Sequence, residues 1–202
     1  HRIEKELEMR VCQQDTIALL GHNALLQVNL IEFLNEVVIK ISETLDNEFC
    51  EVLKLLPDGN NMQLLAGVGW KDGLVGHAIV DARLNSQAGY TMNSSKPVNV
   101  YDMNTETRFS GDRLLQEHKV VSGITIVIPG ADGPWGVLGT HSTQSKVFSK
   151  DDVNFLHSVA NLLANAIARK NIEDTLKESE KKYRSLIETA QDAIVCDENG
   201  II

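Results

Sequence analysis

Apolar residues recur at alternating three- and four-residue steps across residues 1–46, a pattern that predicts helix. The pattern is interrupted once, at Gln27, and further apolar residues lie beside the main seam, so we expect this helix to bury two faces. Gly21 predicts a bend in it. The seam residues are Ile17, Leu20, Ala24, Ile31, Leu34, Val38, Ile41 and Leu45.

Strand-like patterns follow the helix. Residues 49–56 and 62–69 predict two strands, and Pro57-Asp58-Gly59-Asn60-Asn61 between them predicts a hairpin turn because its residues tolerate positive φ. The stretch from 70 to 97 contains several glycines and predicts loops with one short helix.

The second half of the predicted sheet begins with a short strand at residues 98–100. Residues 111–119 then predict a short helix. Isoleucines occupy every second position over residues 124–128, so one face of their strand is predicted to belong to the core. A turn at 131–134 leads into a last strand at 135–142.

A long helix is predicted to start at Ser149, capped together with Asp152 three residues later. Its apolar residues form two adjacent stripes, which is more than one sheet face covers. The second stripe therefore predicts a partner helix, most simply from a second subunit, and the helical pattern continues to about residue 190. The stripes are Val153, Leu156, Ala160, Leu163 and Ile167, and Phe155, Val159, Leu162 and Ala166.

Charge and cysteine content narrow the possible partners. The 202-residue chain has a net charge of −9, which gives no electrostatic footprint for nucleic acid or for an anionic membrane. Its three cysteines are widely spaced, so we expect neither a disulfide framework nor a zinc site, and a cytoplasmic location. No apolar run is long enough to cross a membrane, and we expect the chain to be a piece of a longer protein.

Several segments together resemble a GAF domain over residues 31–170. The resemblance implies an α/β fold of the α+β sandwich type: a mostly antiparallel sheet of five or six strands flanked by helices, with long terminal signalling helices on one face and a ligand pocket on the other. The segments are Phe49-Cys-Glu-Val-Leu-Lys-Leu-Leu-Pro-Asp-Gly, Leu65-Ala-Gly-Val-Gly-Trp, Ser86-Gln-Ala-Gly-Tyr-Thr, Val120-Val-Ser-Gly-Ile-Thr-Ile-Val-Ile and Trp135-Gly-Val-Leu-Gly-Thr-His-Ser-Thr.

The last twenty residues, from Tyr183 to Ile202, resemble the opening of a PAS domain, with a short helix, a strand and an Asn-Gly turn. The predicted organisation is an N-terminal linker helix at 1–30, a GAF sensory domain at 31–170, a helical linker at 171–182 and a truncated PAS domain at 183–202. This order implies a multidomain sensor, of the sensor histidine kinase type, with downstream PAS and output domains in a two-component phosphorelay.

Seven residues are candidates for the predicted pocket. The aromatic ones would stack on a flat ligand or fill the pocket themselves. The arginine would pair with an anionic ligand or with Asp102 or Glu106. The histidines would serve as axial haem ligands or as structural residues, and none has metal-like spacing. The candidates are Trp70, His77, Tyr90, Arg108, Phe109, His118 and His141.

The sequence predicts no catalytic residue. His157 resembles a kinase phosphoacceptor, but no acidic residue follows it and Leu162 stands where a proline is expected. Cys50 is the only cysteine in the predicted core and is expected to be a buried, inert thiol. GAF domains that reduce methionine sulfoxide use several cysteines around the pocket, and those that attach a bilin covalently need one near the pocket lid. This sequence has neither, and it lacks the motif of cyclic-nucleotide-binding GAF domains.

Three functions stay open. The chain is a sensory domain that binds a small molecule and relays a signal through a dimeric helical bundle, a ligand-free dimerisation spacer, or a haem-binding redox or gas sensor. All three imply a homodimer through the terminal helices, because their apolar seams need partners. The ligand itself is not specified by the sequence.

Overall fold

The computed structural model describes the backbone of residues 2–26, 29–94, 96–110 and 113–198. By contact the chain forms two compact units, one ending at Ala166 and one beginning at Ile167. The elements are α1 (Arg2–Leu26), α2 (Leu30–Leu45), β1 (Phe49–Leu55), β2 (Asn61–Val68), β3 (Ile79–Asp81), α3 (Gln87–Ser94), β4 (Val98–Val100), α4 (Arg113–Glu117), β5 (Ser122–Pro129), β6 (Pro134–Ser142) and α5 (Lys150–Glu198).

The strands form one antiparallel sheet in the order β3-β2-β1-β6-β5-β4. The first and last long strands of the chain, β1 and β6, lie side by side in its centre. This confirms the predicted mostly antiparallel α+β arrangement. The short edge strand β3 is additional: three residues inside a glycine-containing stretch give too little alternation to predict a strand.

The N-terminal helix is two helices rather than one. Helix α2 begins after Asn29, whose side chain accepts a hydrogen bond from Ile31 N at 3.0 Å. It ends at Leu45 and is followed by Asp46 in the left-handed conformation. Gly21 lies inside the continuous helix α1, so the bend predicted there does not interrupt the helix. The chain breaks between the helices instead, because an N-cap asparagine competes with the helical hydrogen bonds before it.

One face of the sheet, called the helix face, is covered by α2. Apolar residues of α2 are buried, and the helix contacts β1 and β2. The alternating isoleucines of β5 are at most 1% exposed, as their spacing predicted. The buried residues of α2 are Phe33, Leu34, Val37, Val38, Ile41, Thr44 and Leu45.

The other face, called the lid face, is covered by α3 and α4. Leu114 and Leu115 of α4 and Ala88 of α3 belong to one buried cluster with residues of β1, β2 and β6. Trp70 lies in the same cluster, positioned by the turn at Gly69, where φ is 86° and an added Cβ would lie 2.1 Å from Glu48 O. The predicted pocket face is therefore the face under α3 and α4.

Within the first unit, helix α5 has its partner in the same chain. A Cβ on Gly21 of α1 would lie 3.8 Å from Leu162 Cδ2, so the two helices are in contact. Gln13 of α1 donates to Asp152 at 2.7 Å, and Asp152 also accepts from Ser149 in the predicted capping box. Leu162, one residue of the second stripe of α5, therefore lies beside α1 of the same chain.

The second unit is the distal part of α5. Its apolar side chains Ile172, Leu176, Tyr183, Leu186 and Ile187 are all at least 59% exposed. The helix continues to Glu198, so the strand predicted within residues 183–202 is wrong for this structure. A strand needs a neighbouring strand for its backbone hydrogen bonds, whereas a helix forms its hydrogen bonds within its own segment. The predicted Asn-Gly turn at 199–200 lies outside the described residues.

No helix among the described residues has both the length and the apolar character needed to cross a membrane.

Candidate functional site

Three of the seven predicted residues meet on the lid face. The ring of Trp70 lies 5.0 Å from that of His118 and 6.1 Å from that of His141, centroid to centroid. Phe49 joins them, with its ring 4.9 Å from Trp70. Trp70 Nε1 donates to Cys50 O at 3.0 Å, which fixes the indole over the sheet.

Another three form a second cluster at the edge of the lid. Arg108 lies 5.7 Å from the rings of both Tyr90 and Phe109, within the range of a cation–π contact. Its guanidinium also donates to both carboxylate oxygens of Glu106 and to Asn99 O. Of the two predicted partners for Arg108, an anionic ligand or a neighbouring carboxylate, the structure shows the carboxylate Glu106.

The histidines do not fit axial ligation of haem as they are arranged. His118 contacts Leu114 O with Nδ1 and accepts from Lys71 N with Nε2, so both ring nitrogens are engaged. His141 uses Nε2 to contact Glu51. His77 is exposed and lies in the turn before β3, where it offers no enclosed pocket. Ligation by His118 would require it to give up a hydrogen bond, and the remaining ring nitrogen of His141, Nδ1, lies against the backbone of Gly123.

The most unusual feature of the lid face was not predicted from the sequence. Glu51 is 3% exposed, and its Oε1 lies 3.1 Å from Nε2 of His141, which is fully buried. Gly139, the partner of Glu51 on β6, has no Cβ that would crowd this pair, since an added Cβ would lie 3.0 Å from both side chains. A buried carboxylate on an inner strand is rare unless it is paired.

Gln87 of α3 extends this polar group across the sheet. It is fully buried, and its Nε2 donates to Val98 O at 3.0 Å and Gly123 O at 3.2 Å. Gly123 pairs with His141 across the sheet, and an added Cβ there would lie 2.1 Å from His141 Nδ1. Gln87 and His141 therefore lie over the same glycine, and an alanine at Gly123 would displace the imidazole.

Three polar atoms of this group have no hydrogen-bond partner among the described residues. They are Glu51 Oε2, Gln87 Oε1 and His141 Nδ1, and all three are buried. Most buried polar side-chain atoms in proteins have a partner, and each exception needs an explanation. We refer to Glu51, Gln87 and His141 as the polar cluster.

A signal for the polar cluster was present in the sequence. Phe49, Glu51 and Leu53 share one face of β1, so the alternation places a carboxylate between two apolar side chains. Gly139 lies on the adjacent strand β6 and Gly123 on the next strand β5, and glycine inside a strand marks a close approach. The histidine was predicted as a site residue, but its partners required the strand register, which the sequence does not show.

A cavity of about 370 Å³ lies beside the lid, between α4 and the segment after β4. Leu115 and Val120 belong both to its lining and to the buried cluster around Trp70, and Phe109 connects it to the second aromatic cluster. Glu106 and Lys119 contribute charge at its wall. Its size and mixed lining suit a small organic molecule.

Neither a reactive thiol nor a metal centre appears at this site. Cys50 is fully buried, and burial raises the pKa of its thiol well above the ordinary value, as expected for an inert residue. Cys196 lies outside the side chains that the structure describes. The described residues contain no group of three or more His, Cys, Asp or Glu that could hold a metal ion.

The ion pair at the lid edge gives a direct test of the arrangement. Hydrogen bonds from Arg108 lower the pKa of Glu106 from its ordinary 4.5 to about 2. We expect Glu106→Gln to lower the free energy of unfolding at pH 7 by about 1–2 kcal/mol. A depressed carboxyl pKa stabilises the fold above the unfolded value, so the difference should shrink as pH falls from about 4.5 towards 2.

Urea unfolding at pH 7 and pH 3 measures both effects. Glu117→Gln is the control, because Glu117 pairs with Arg113 on the exposed side of α4 and should have little influence on stability. An equal loss in the two variants, or a difference that does not depend on pH, would show that the Arg108 contact is not the cause.

Comparisons with solved structures support the fold assignment. The GAF domain of a phosphoenolpyruvate-protein phosphotransferase from Coxiella burnetii matches with a TM-score of 0.73 and 18% identity, covering 82% of this chain and 98% of that one. A phycoerythrobilin-bound GAF domain from a cyanobacterial phytochrome matches with a TM-score of 0.65 and 20% identity, covering 80% of this chain and 97% of that one. Free methionine-R-sulfoxide reductase from Neisseria meningitidis, in complex with its substrate, matches with a TM-score of 0.66 and 12% identity, covering 76% of this chain and 87% of that one.

At these identities the likeness concerns the fold alone. A comparison of the sequence with curated proteins finds no match. The family profile described as GAF domain, however, matches residues 29–167, well over half of the chain. Together with the six-stranded sheet and its helix and lid faces, this match establishes that the chain belongs to the GAF domain family.

Proposed function

We propose that this chain is the sensory part of a multidomain signalling protein and binds a small molecule on its lid face. The observation that carries the proposal is the polar cluster, with three buried polar atoms that have no partner among the described residues. Each such atom costs about 1–3 kcal/mol if it stays unpaired, and a ligand is one way to recover that cost. GAF domains are sensory and ligand-binding modules of signalling proteins, which supports the same function.

A ligand-free spacer is the second candidate, and a different observation favours it. Phe49, Trp70 and His118 pack against one another on the lid face, so aromatic side chains already occupy part of the space under the lid. In a spacer, the domain would transmit helix positions without responding to a small molecule. The two candidates differ in whether the purified protein retains or binds a ligand.

The described residues of this chain support no assigned reaction. The thiol of Cys50 is buried, and its pKa is raised by that burial. His157 is exposed on α5, and the sequence around it lacks the residues that a phosphoacceptor box carries. The free thiols of Cys12 and Cys50 accord with a reducing compartment, so the proposed location is cytoplasmic.

The proposed assembly is a homodimer through the terminal helices. Apolar residues of α1 remain exposed after α5 has packed, among them Leu7, Val11 and Leu19. These three line a groove of about 610 Å³ between α1 and α2. The distal half of α5 also exposes apolar side chains at helical spacing, which favours association with a second copy.

Signal output is proposed to pass along α5. Helix α5 includes the first residues of the segment from residue 183 that resembles the opening of a PAS domain, and a sensor histidine kinase is the parent that this order favours. A ligand on the lid face would favour one of two helix packings, and α5 would carry the difference onward.

Native mass spectrometry of the purified chain, combined with its absorbance spectrum, tests ligand binding and assembly together. We expect a dimer with additional mass from a retained small molecule. Val11→Glu should convert the dimer to monomer because it places a charge in the α1 groove, whereas Gln14→Glu on the exposed side of α1 should not. A bare monomer for the unaltered chain would overturn the proposed assembly, and a bare dimer that binds none of a metabolite library would favour the spacer.

The helix relay predicts a phase effect in the full-length parent. Inserting one or two residues after Asp174 rotates the distal helix by about 100–200°, and we expect loss of regulated output. Inserting seven residues restores the phase approximately, and output should return. Measured autophosphorylation that is the same in all these variants would contradict a rigid helical relay.

A further inference from the structure

The cavity of about 370 Å³ beside the lid combines an apolar lining with two charged side chains. Among the described residues that line it, Glu106 and Lys119 are the charged ones. The charge that the cavity presents to a ligand therefore depends on what these two side chains already contact. The apolar lining consists of Met103, Phe109, Leu115, Val120 and Val121.

The carboxylate of Glu106 is already occupied. Its Oε1 accepts hydrogen bonds from Thr107 N at 2.9 Å and from Arg108 N at 2.8 Å. Both of its oxygens also accept from the Arg108 guanidinium, with 2.6 Å between Nη2 and Oε2. This ion pair offsets the negative charge at the wall, and a cationic ligand would have to compete with Arg108 for it.

Lys119 has no such neighbour. Its ammonium group has no hydrogen-bond or ion-pair partner among the described residues, and its side chain lines the cavity. A positive charge beside apolar side chains favours a ligand with an anionic end. One ammonium group matches the single charge of a carboxylate, whereas a phosphate monoester carries nearly two charges and three acceptor oxygens.

The backbone at Lys119 suits a different residue type. Lys119 follows α4 with a φ of 54°, in the left-handed region where helix ends usually have Gly or Asn. Its N–H donates to Gln116 O at 3.1 Å, and that of Val120 donates to Leu115 O at 3.0 Å. Glycine would adopt this conformation at lower cost, so the turn alone does not account for a lysine here.

We propose that this cavity binds a small organic molecule with an apolar body and a carboxylate group, and that the carboxylate pairs with Lys119. The apolar lining would contact the body, and the ammonium group would donate charge-assisted hydrogen bonds to the acid. The residues of the polar cluster do not line this cavity, so the acid is expected at Lys119. This inference rests on the proposed ligand-binding function and adds the chemical class of the ligand.

Three probes of one shape test the class directly. 3-Phenylpropanoate, 3-phenylpropanamide and 3-phenylpropylamine share their body and differ in an anionic, neutral or cationic end. Each is titrated at pH 7 and fixed salt into the ¹⁵N-labelled chain, and the backbone amide shifts of the residues that line the cavity are followed. We expect the carboxylate probe to shift them and to bind at least about threefold more tightly than the carboxamide probe, with the amine weaker still.

Matched variants locate the recognition. Lys119→Gln removes the charge and should reduce the affinity for the carboxylate probe to about that for the carboxamide, whereas Lys119→Arg keeps the charge and should retain the preference. Lys71→Gln removes the same charge from an exposed side chain that does not line the cavity, although Lys71 N donates to His118 beside Lys119. This control should leave binding within about twofold.

Lys119→Gly separates binding from folding. It removes the side chain and relieves the left-handed backbone, so we expect no fall in the midpoint of thermal unfolding, monitored by circular dichroism, and a lost preference for the carboxylate. A lower midpoint with an intact carboxylate preference would overturn the inference, because it would show that the side chain serves the fold.

The remaining outcomes separate this inference from the proposed function. Equal binding of the three probes, or shifts confined to residues away from the cavity, would overturn the carboxylate class and leave the ligand-binding function in place. A carboxylate preference that persists in Lys119→Gln would also overturn it. If no probe binds and native mass spectrometry shows a retained molecule without an acidic group, the inference fails alone. If no probe binds and no molecule is retained, both fail and the spacer is favoured.

Discussion

A carboxylate and an imidazole share the interior of this domain, and the organisation of the lid face depends on them. Glu51 and His141 stand on the two central strands, and their contact is fully buried. An ion pair or strong hydrogen bond in such a place seldom adds net stability, because removing both groups from water costs about as much as their attraction returns. Net stability alone therefore does not account for the pair, and the proposed ligand binding would give it a role.

The surrounding backbone is shaped to hold this pair. Gly139 lies beside Glu51 and Gly123 lies beside His141. Because glycine has no side chain, the two polar side chains can lie directly on the sheet. Helix α3 then places Gln87 over Gly123. The helix face, in contrast, is packed with ordinary apolar residues. The helix face thus provides stability, while the lid face carries the polar side chains. A ligand on the lid face would act, through the sheet, on the helices that pack against the helix face.

Much of this fold could be predicted from local pattern. Residues 124–128 alternate in the sequence and in burial, and Ser149 and Asp152 cap α5 as their spacing indicated. The break before Leu30 was missed although Asn29 marks it locally as an N-cap. The short strand β3 and the contact between α5 and α1 were missed because they depend on tertiary contacts. For the site, Trp70 and His141 were predicted from the sequence. Glu51 was not, because it is brought to His141 by the register of β1 and β6, and Gln87 was not, because it is brought there by the packing of α3.

The central claim is that the Glu51–His141 pair serves ligand recognition and not stability, and the free energy of unfolding tests it most directly. The measurement compares the unaltered chain with the double variant Glu51→Met/His141→Leu, which fills the same space with apolar side chains. The account predicts a double variant at least as stable as the original, as found when buried ion pairs are replaced by packed apolar groups. A loss of more than about 3 kcal/mol would contradict the account, because it would show that the fold itself requires the pair.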